Sequence, residues 1–166
     1  MKRGKILIVE DELIARENLD HVLKKEGYDT VAVESGALAF KELEKQEFDL
    51  VMTDLKMQQV DGLQVLERTK ELSPDTEVIM ITGFATVSTA VEAMQKGAYH
   101  YLPKPYKIDE MRILVAKAME KRSLRQEVTE LKRQVQSQKI VPFLVGKSPK
   151  IELLKQTIEQ IAPADA

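Results

Sequence analysis

The chain has no cysteine among its 166 residues, which excludes disulfides and thiolate metal sites alike. That absence fits a reducing compartment, and a cytoplasmic location is expected. There is no excess of either charge: 25 basic residues stand against 27 acidic ones, a formal net charge of −2 at pH 7. Nucleic acid contact by this chain is not expected from that balance. Long apolar runs are missing too. After the basic start Met1-Lys2-Arg3-Gly4-Lys5, the run Ile6 to Val9 gives way to three acids, too short for the apolar stretch of a signal peptide. No segment approaches the ~18 apolar residues of a membrane span, so no membrane partner is expected. Finally, neither Gly nor Pro occurs between residues 109 and 138, which leaves that stretch free to form one long helix.

Against these absences stands a regular alternation. Ile6-Leu7-Ile8-Val9, Tyr28 to Val33, Leu50-Val51-Met52, Glu77 to Ile81 and Tyr99 to Leu102 read as five short strands. Helical patterns follow each of them. Leu13 to Lys25 carries Ile14, Leu19, Val22 and Leu23 and ends at Gly27, while Leu38, Phe40 and Leu43 follow Ser35-Gly36. The third helical pattern, Leu63 to Leu72, is closed by Ser73-Pro74, and the fourth runs from Val87 to Lys96. Five β-α repeats predict a parallel sheet with helices on both faces and right-handed crossovers.

In such a sheet, chemistry collects at the carboxyl ends of the strands. Those ends bring Glu10 and Asp11 from the first strand, Asp54 from the third, Thr82 from the fourth and Lys104 from the fifth. Three crowded carboxylates repel one another unless a cation sits among them, and oxygen donors in small number suit Mg²⁺ better than calcium. Asp54 can then act as an ionised nucleophile towards phosphorus, with Lys104 and Thr82 holding phosphoryl oxygens. The bland alternative, a structural salt bridge to Lys104, leaves two carboxylates unpaired and gives the hydroxyl no role.

The last helical pattern is longer than a domain needs. Leu114, Leu124, Val128, Leu131 and Val135 share one heptad frame, with Val128 and Val135 at a and Leu124 and Leu131 at d, the arrangement that favours two parallel strands. Lys117 and Lys121 interrupt the seam and Gln138 closes it. Glu120 and Glu127 occupy g positions, facing Arg125 and Lys132 at e of a second copy. A homodimer through this helix is therefore expected. The alternative is a single amphipathic helix packed on its own domain. Beyond it, Gly146-Lys147-Ser148 is not a phosphate loop, because Val141 stands where the motif needs Gly. The amphipathic tail Ile151 to Ile161 cannot bury its apolar face alone and reads as the first helix of a further domain.

Together, Ile6 to Glu12, Asp54 with Asp61-Gly62, Thr82-Gly83, and Gly97-Ala98-Tyr99 through Leu102-Pro103-Lys104-Pro105 resemble the receiver domain of two-component response regulators. The resemblance implies a flavodoxin-like (βα)5 doubly wound parallel sheet, strand order 2-1-3-4-5, its last helix extended into a coiled-coil linker. It implies that Asp54 accepts a phosphoryl group from a sensor histidine kinase. Asp11, Asp54 and the Lys56 carbonyl would ligate Mg²⁺, with Glu10 acting directly or through water, and Thr82 and Tyr101 would be the switch pair. The tail, Val145 to Lys150 and Ile161-Ala162-Pro163, is similar to the opening of the AAA+ ATPase domain of sigma-54-dependent (NtrC-class) activators. On this reading residues 1–120 are a receiver, 121–139 a linker and 140–166 the start of an ATPase domain. Dimer rearrangement would control that ATPase and, through it, sigma-54 RNA polymerase and transcription. The chain itself is then a phosphoacceptor and not an enzyme.

Two rivals are weaker. A phosphatase of the haloacid-dehalogenase type needs a second Asp two residues after the first, where Lys56 stands. A dimerisation module with a vestigial receiver would not take up a phosphoryl group. His21, mid-helix, lacks phosphodonor surroundings, and His100 is expected to face solvent. One departure from the family pattern matters: Gln58 replaces the Pro that would fix the turn after the phosphoacceptor. The looser loop predicts weaker metal binding or a shorter phosphoryl lifetime. Gln58→Pro should therefore tighten Mg²⁺ binding or slow dephosphorylation, and a variant that changes neither contradicts the idea.

Overall fold

The computed structural model describes residues 3–83 and 86–137. It comprises β1 (Lys5–Val9), α1 (Leu13–Lys25), β2 (Asp29–Val33), α2 (Gly36–Lys45), β3 (Leu50–Asp54), α3 (Gly62–Leu72), β4 (Glu77–Thr82), α4 (Val87–Gln95), β5 (His100–Pro103) and α5 (Ile108–Ser137). The strands form one sheet in the order β2-β1-β3-β4-β5, every pair parallel. This is the doubly wound (βα)5 order expected above. The chain divides into two compact units, residues 1–127 and 128–166. The motifs of the tail, from Gln138 on, lie outside the described residues.

Period-two alternation sorts the strand side chains onto two faces. Ile6, Ile8, Leu50, Met52, Ile79 and Ile81 pack with Leu19, Val22 and Leu23 of α1 and Met111, Val115 and Ala118 of α5. Leu7, Val9, Val51, Val78 and Met80 pack on the other side with Ala39 of α2, Val65 and Leu66 of α3 and Ala93 of α4. Burial on both faces is why β1, β3 and β4 are apolar throughout rather than alternating. Ile14 departs from the apolar pattern read for α1, being 76% exposed. It lies five residues before Leu19, about 140° round the helix from the buried stripe. β5 also sits one residue later than the apolar run suggested, and exposed His100 opens it.

The amino ends of the central strands are held by buried charge. Thr76 donates to the Phe48 carbonyl (2.7 Å) and receives a hydrogen bond from Arg122 Nη1 (2.9 Å). Arg122 Nε lies 2.7 Å from Asp49 Oδ1, an ion-pair contact without hydrogen-bond alignment. Glu77, whose side chain is 2% exposed, pairs with Lys121 (2.9 Å) and Arg125 (3.3 Å), and the Lys121 ammonium also sits over the Tyr99 ring. Near this cluster, burial holds the Lys70 pKa below its ordinary value, and the charges of Lys121 and Arg125 push the same way.

Within residues 108–127, α5 thus carries two stripes. Met111, Val115, Ala118 and Arg122 face the sheet and are buried. Leu124, on the heptad seam, is exposed, as are Val128, Leu131 and Val135 further along the helix, at 50 to 63% each. At 100° per residue Leu124 lies about 150° round the helix from the centre of the buried stripe, so packing on the domain leaves it uncovered, whereas Leu114, earlier on the same seam, is partly buried against the core. Arg125, at the e position expected to face Glu120 of a second copy, contacts Glu77 of its own chain at 3.3 Å.

Arg122→Ala should lower the unfolding free energy by about 2 to 3 kcal/mol, towards the low side of breaking a buried ion pair because Asp49 keeps some solvent access. Arg125→Ala, at an exposed side chain, should cost below about 1 kcal/mol. Urea unfolding of both variants checks the contrast, and equal losses would contradict this account of the anchor.

Candidate functional site

The backbone ladder sets the site. Glu10 follows the last residue of β1, and its N–H donates to the Val33 carbonyl at 3.1 Å. Asp54 is the last residue of β3, in register with Ile81. Thr82 ends β4 and is fully buried. Lys104 follows β5, its N–H donating 2.8 Å to the Thr82 carbonyl. Glu10 and Lys104 thus sit one residue past their strands, each still held by a ladder bond, while Asp54 and Thr82 are the last residues of theirs. Gly62 closes the far side: its N–H donates to the Leu55 carbonyl (2.9 Å), and an added Cβ would come within 2.1 Å of the Asp54 carbonyl oxygen. No larger residue fits there without displacing the end of β3.

The side chains of Glu10, Asp11, Asp54 and Lys104 come together. Lys104 Nζ donates to Glu10 Oε2 (2.7 Å) and to Asp54 Oδ2 (2.8 Å). The Lys56 N–H donates to the other Asp54 oxygen, Oδ1, at 3.1 Å. Carboxylate oxygens of Glu10, Asp11 and Asp54 all lie within 4.8 Å of one another. Glu10 and Asp54 are buried, whereas Asp11 is exposed. Burial pushes the Glu10 carboxyl above its ordinary pKa and the Asp54 charge adds to this, with Lys104 pulling the other way. Burial also works against the Lys104 ammonium, but its bonds to Asp54 and Glu10 outweigh that and raise its pKa.

With all three carboxylates ionised, one ammonium leaves two negative charges uncompensated. The donor set is oxygen only, so it fits a hard dication, which would bring the cluster to neutrality. Beside the cluster a crevice of about 440 Å³, lined by Asp11, Lys56, Gln58, Asp61 and Thr89 among others, gives access from solvent. Gly83 is exposed, and an added Cβ there would meet nothing within 4 Å. In the loop after Asp54, Val60 N–H bonds the Gln58 carbonyl (2.8 Å) across Gln59, which sits at φ 67°. This tight γ-turn stands where the resemblance placed a proline.

Tyr101 is half-buried, its hydroxyl 3.0 Å from Thr89 Oγ1 on α4. Thr89 belongs to the capping box that Thr86 forms at the start of α4, so the tyrosine is tied to the amino end of that helix. Sequence reasoning missed Thr89, since nothing local pairs it with a strand residue twelve positions on. Arg16 was missed as well, although a signal existed: a cation in the first turn of a helix opposes the macrodipole and asks for a reason.

These features match known proteins. A family model described as the response regulator receiver domain fits residues 6–116. The chain belongs to that family. Among curated relatives, this chain is 35% identical over 165 residues to the alginate biosynthesis transcriptional regulatory protein AlgB of Pseudomonas aeruginosa, covering 99% of this chain and 36% of AlgB. The crystal structure of NtrX from Brucella abortus with ADP superposes with a TM-score of 0.73 at 32% identity, covering 98% of this chain and 35% of that one. The solution structure of the beryllofluoride-activated NtrC4 receiver domain dimer gives a TM-score of 0.68 at 34% identity, over 74% of this chain and 99% of that one. The chain thus spans about a third of the length of its curated relatives. Among the described residues, no helix is long and apolar enough to cross a membrane.

Proposed function

We propose that this receiver is the phosphoacceptor of a cytoplasmic phosphorelay, with Asp54 the residue modified. The single observation that carries the reading is Lys104 Nζ held between Glu10 and Asp54, at the ends of strands not adjacent in sequence. Asp54 attacks the phosphorus of a histidine-bound phosphoryl group on a sensor kinase. Its oxygen–phosphorus bond forms as the phosphorus–nitrogen bond breaks, and the electron pair returns to the imidazole. Lys104 then keeps its contact with Glu10 and turns its remaining donors to the incoming phosphoryl oxygens. Thr82 supplies a hydroxyl from the end of β4, and Tyr101 exchanges its bond to Thr89 for a more buried position. Asp11, Asp54, the Lys56 carbonyl and Glu10 would hold Mg²⁺. When bound, the ion neutralises charge on the transferred group.

The stripe of Leu124, Val128, Leu131 and Val135 supports a homodimer through α5 and the linker. The NtrC4 relative is a dimer in its beryllofluoride-activated receiver. On this reading the linker joins the receiver to an AAA+ domain acting on sigma-54 RNA polymerase, and phosphorylation at Asp54 controls that output. The relatives' names as transcriptional regulatory proteins, and the NtrX structure holding ADP in a chain about three times as long, support this arrangement.

Acetyl phosphate with Mg²⁺ should phosphorylate the parent chain on Asp54, and Asp54→Ala should abolish the uptake. Lys104→Met should fold and still lose most of it. Uptake that persists in Asp54→Ala would contradict the assignment.

A further inference from the structure

The loop that delivers Glu10 and Asp11 leads into α1 without the side-chain cap that starts α2, α3 and α4, although the Glu12 N–H donates to Glu10 Oε1 at 3.4 Å. α2, α3 and α4 begin with side-chain caps from Ser35, Asp61 and Thr86, whereas Glu12 at the start of α1 makes no side-chain cap bond. Arg16 holds this loop differently, from inside the helix, as a donor to carbonyls rather than an acceptor for the free N–H groups. Its Nη1 donates to the Glu10 carbonyl at 2.7 Å and to the Asp11 carbonyl at 3.3 Å. The side chain is only 14% exposed, and Nη2 lies 3.8 Å from Glu34 beyond β2.

Those two carbonyls belong to the two peptide planes on either side of Asp11. A peptide is planar, so fixing both carbonyls fixes both backbone torsions of the residue between them and hence the direction of its Cα–Cβ bond. Among the described residues, the Asp11 carboxylate itself makes no hydrogen bond. Its aim towards Glu10 and Asp54 is therefore set through the backbone.

We propose that Arg16 is a positioning residue for the divalent cation site: by clamping the peptides flanking Asp11, it presets that carboxylate for the ion. The proposal rests on the Mg²⁺ reading above. It also separates geometry from charge. A planar guanidinium presents donors in a fixed plane that can bridge two successive carbonyls, whereas a lysine ammonium on a flexible stem keeps the charge without holding that geometry.

The test is calorimetric titration of Mg²⁺ into the phosphate-free chain, for the parent, Arg16→Gln, Arg16→Lys and Asp11→Asn, each checked for its native circular dichroism spectrum. Both Arg16 variants should bind Mg²⁺ about tenfold more weakly, the scale of losing a group that orients a metal ligand, while Asp11→Asn loses binding. If Arg16→Gln does not fold, Arg16→Lys carries the test, since it retains a charge and one carbonyl contact. Folded Arg16 variants with affinity within about twofold of the parent overturn the proposal, because a merely structural role moves stability and not affinity. Parental affinity in Arg16→Lys beside weak binding in Arg16→Gln overturns it in favour of charge alone. Undiminished binding in Asp11→Asn overturns it too, since Asp11 is then no ligand. A parent that binds no Mg²⁺ sinks the metal reading itself, and the proposal with it.

Discussion

Three carboxylates brought within 4.8 Å of one another by the ends of a parallel sheet are the constraint on which this receiver turns. The sheet geometry imposes the crowding, and Lys104 relieves part of it by bridging Glu10 and Asp54. That bridge is less a source of stability than a poised arrangement. Two buried acids and one ammonium are costly to desolvate, and on the function proposed above a dication and then a phosphoryl group would offset that cost. The same pressure explains the surrounding rigidity. Gly62 must be glycine for α3 to close on the Asp54 backbone, and Glu10 and Lys104 are pinned by ladder bonds as well as by their charges.

The opposite end of the sheet solves a different problem with similar means. There Arg122, Lys121 and Arg125 of α5 meet Asp49 and Glu77 at the amino ends of β3 and β4. β4 therefore carries a buried hydroxyl at one end and an acid that holds α5 at the other. With its sheet-facing stripe used on the core and on these ion pairs, α5 is left with a second stripe, Leu124, Val128, Leu131 and Val135, that is exposed. On the proposed function, a signal at Asp54 that disturbs β4 through Thr82 would have a physical route to that helix, in packed backbone rather than in a chain of flexible side chains.

Much of this was legible in the residues. β1, β3 and β4 are short apolar runs because both faces are buried, and Glu10, Asp11, Asp54 and Thr82 stand out because each ends or follows such a run, while Lys104 follows the less buried β5. The heptad stripe of α5 was equally plain. What could not be read were contacts that depend on which elements meet. Arg16 reaching back to two carbonyls, Thr89 receiving the Tyr101 hydroxyl and Arg122 lying against Thr76 join residues whose separation in sequence carries no periodic signal. Ile14 misled for a related reason: it is apolar, but a helix buries a phase, not a composition.

The most direct test of the central claim, that the site at Asp54 governs association through α5, is sedimentation velocity of this chain in Mg²⁺, before and after fluoroberyllate, beside Asp54→Ala. The account predicts a dimer whose sedimentation changes with the mimic only when Asp54 is intact. A dimer indifferent to fluoroberyllate would contradict it, leaving the α5 seam as a dimerisation element that the acidic site does not control.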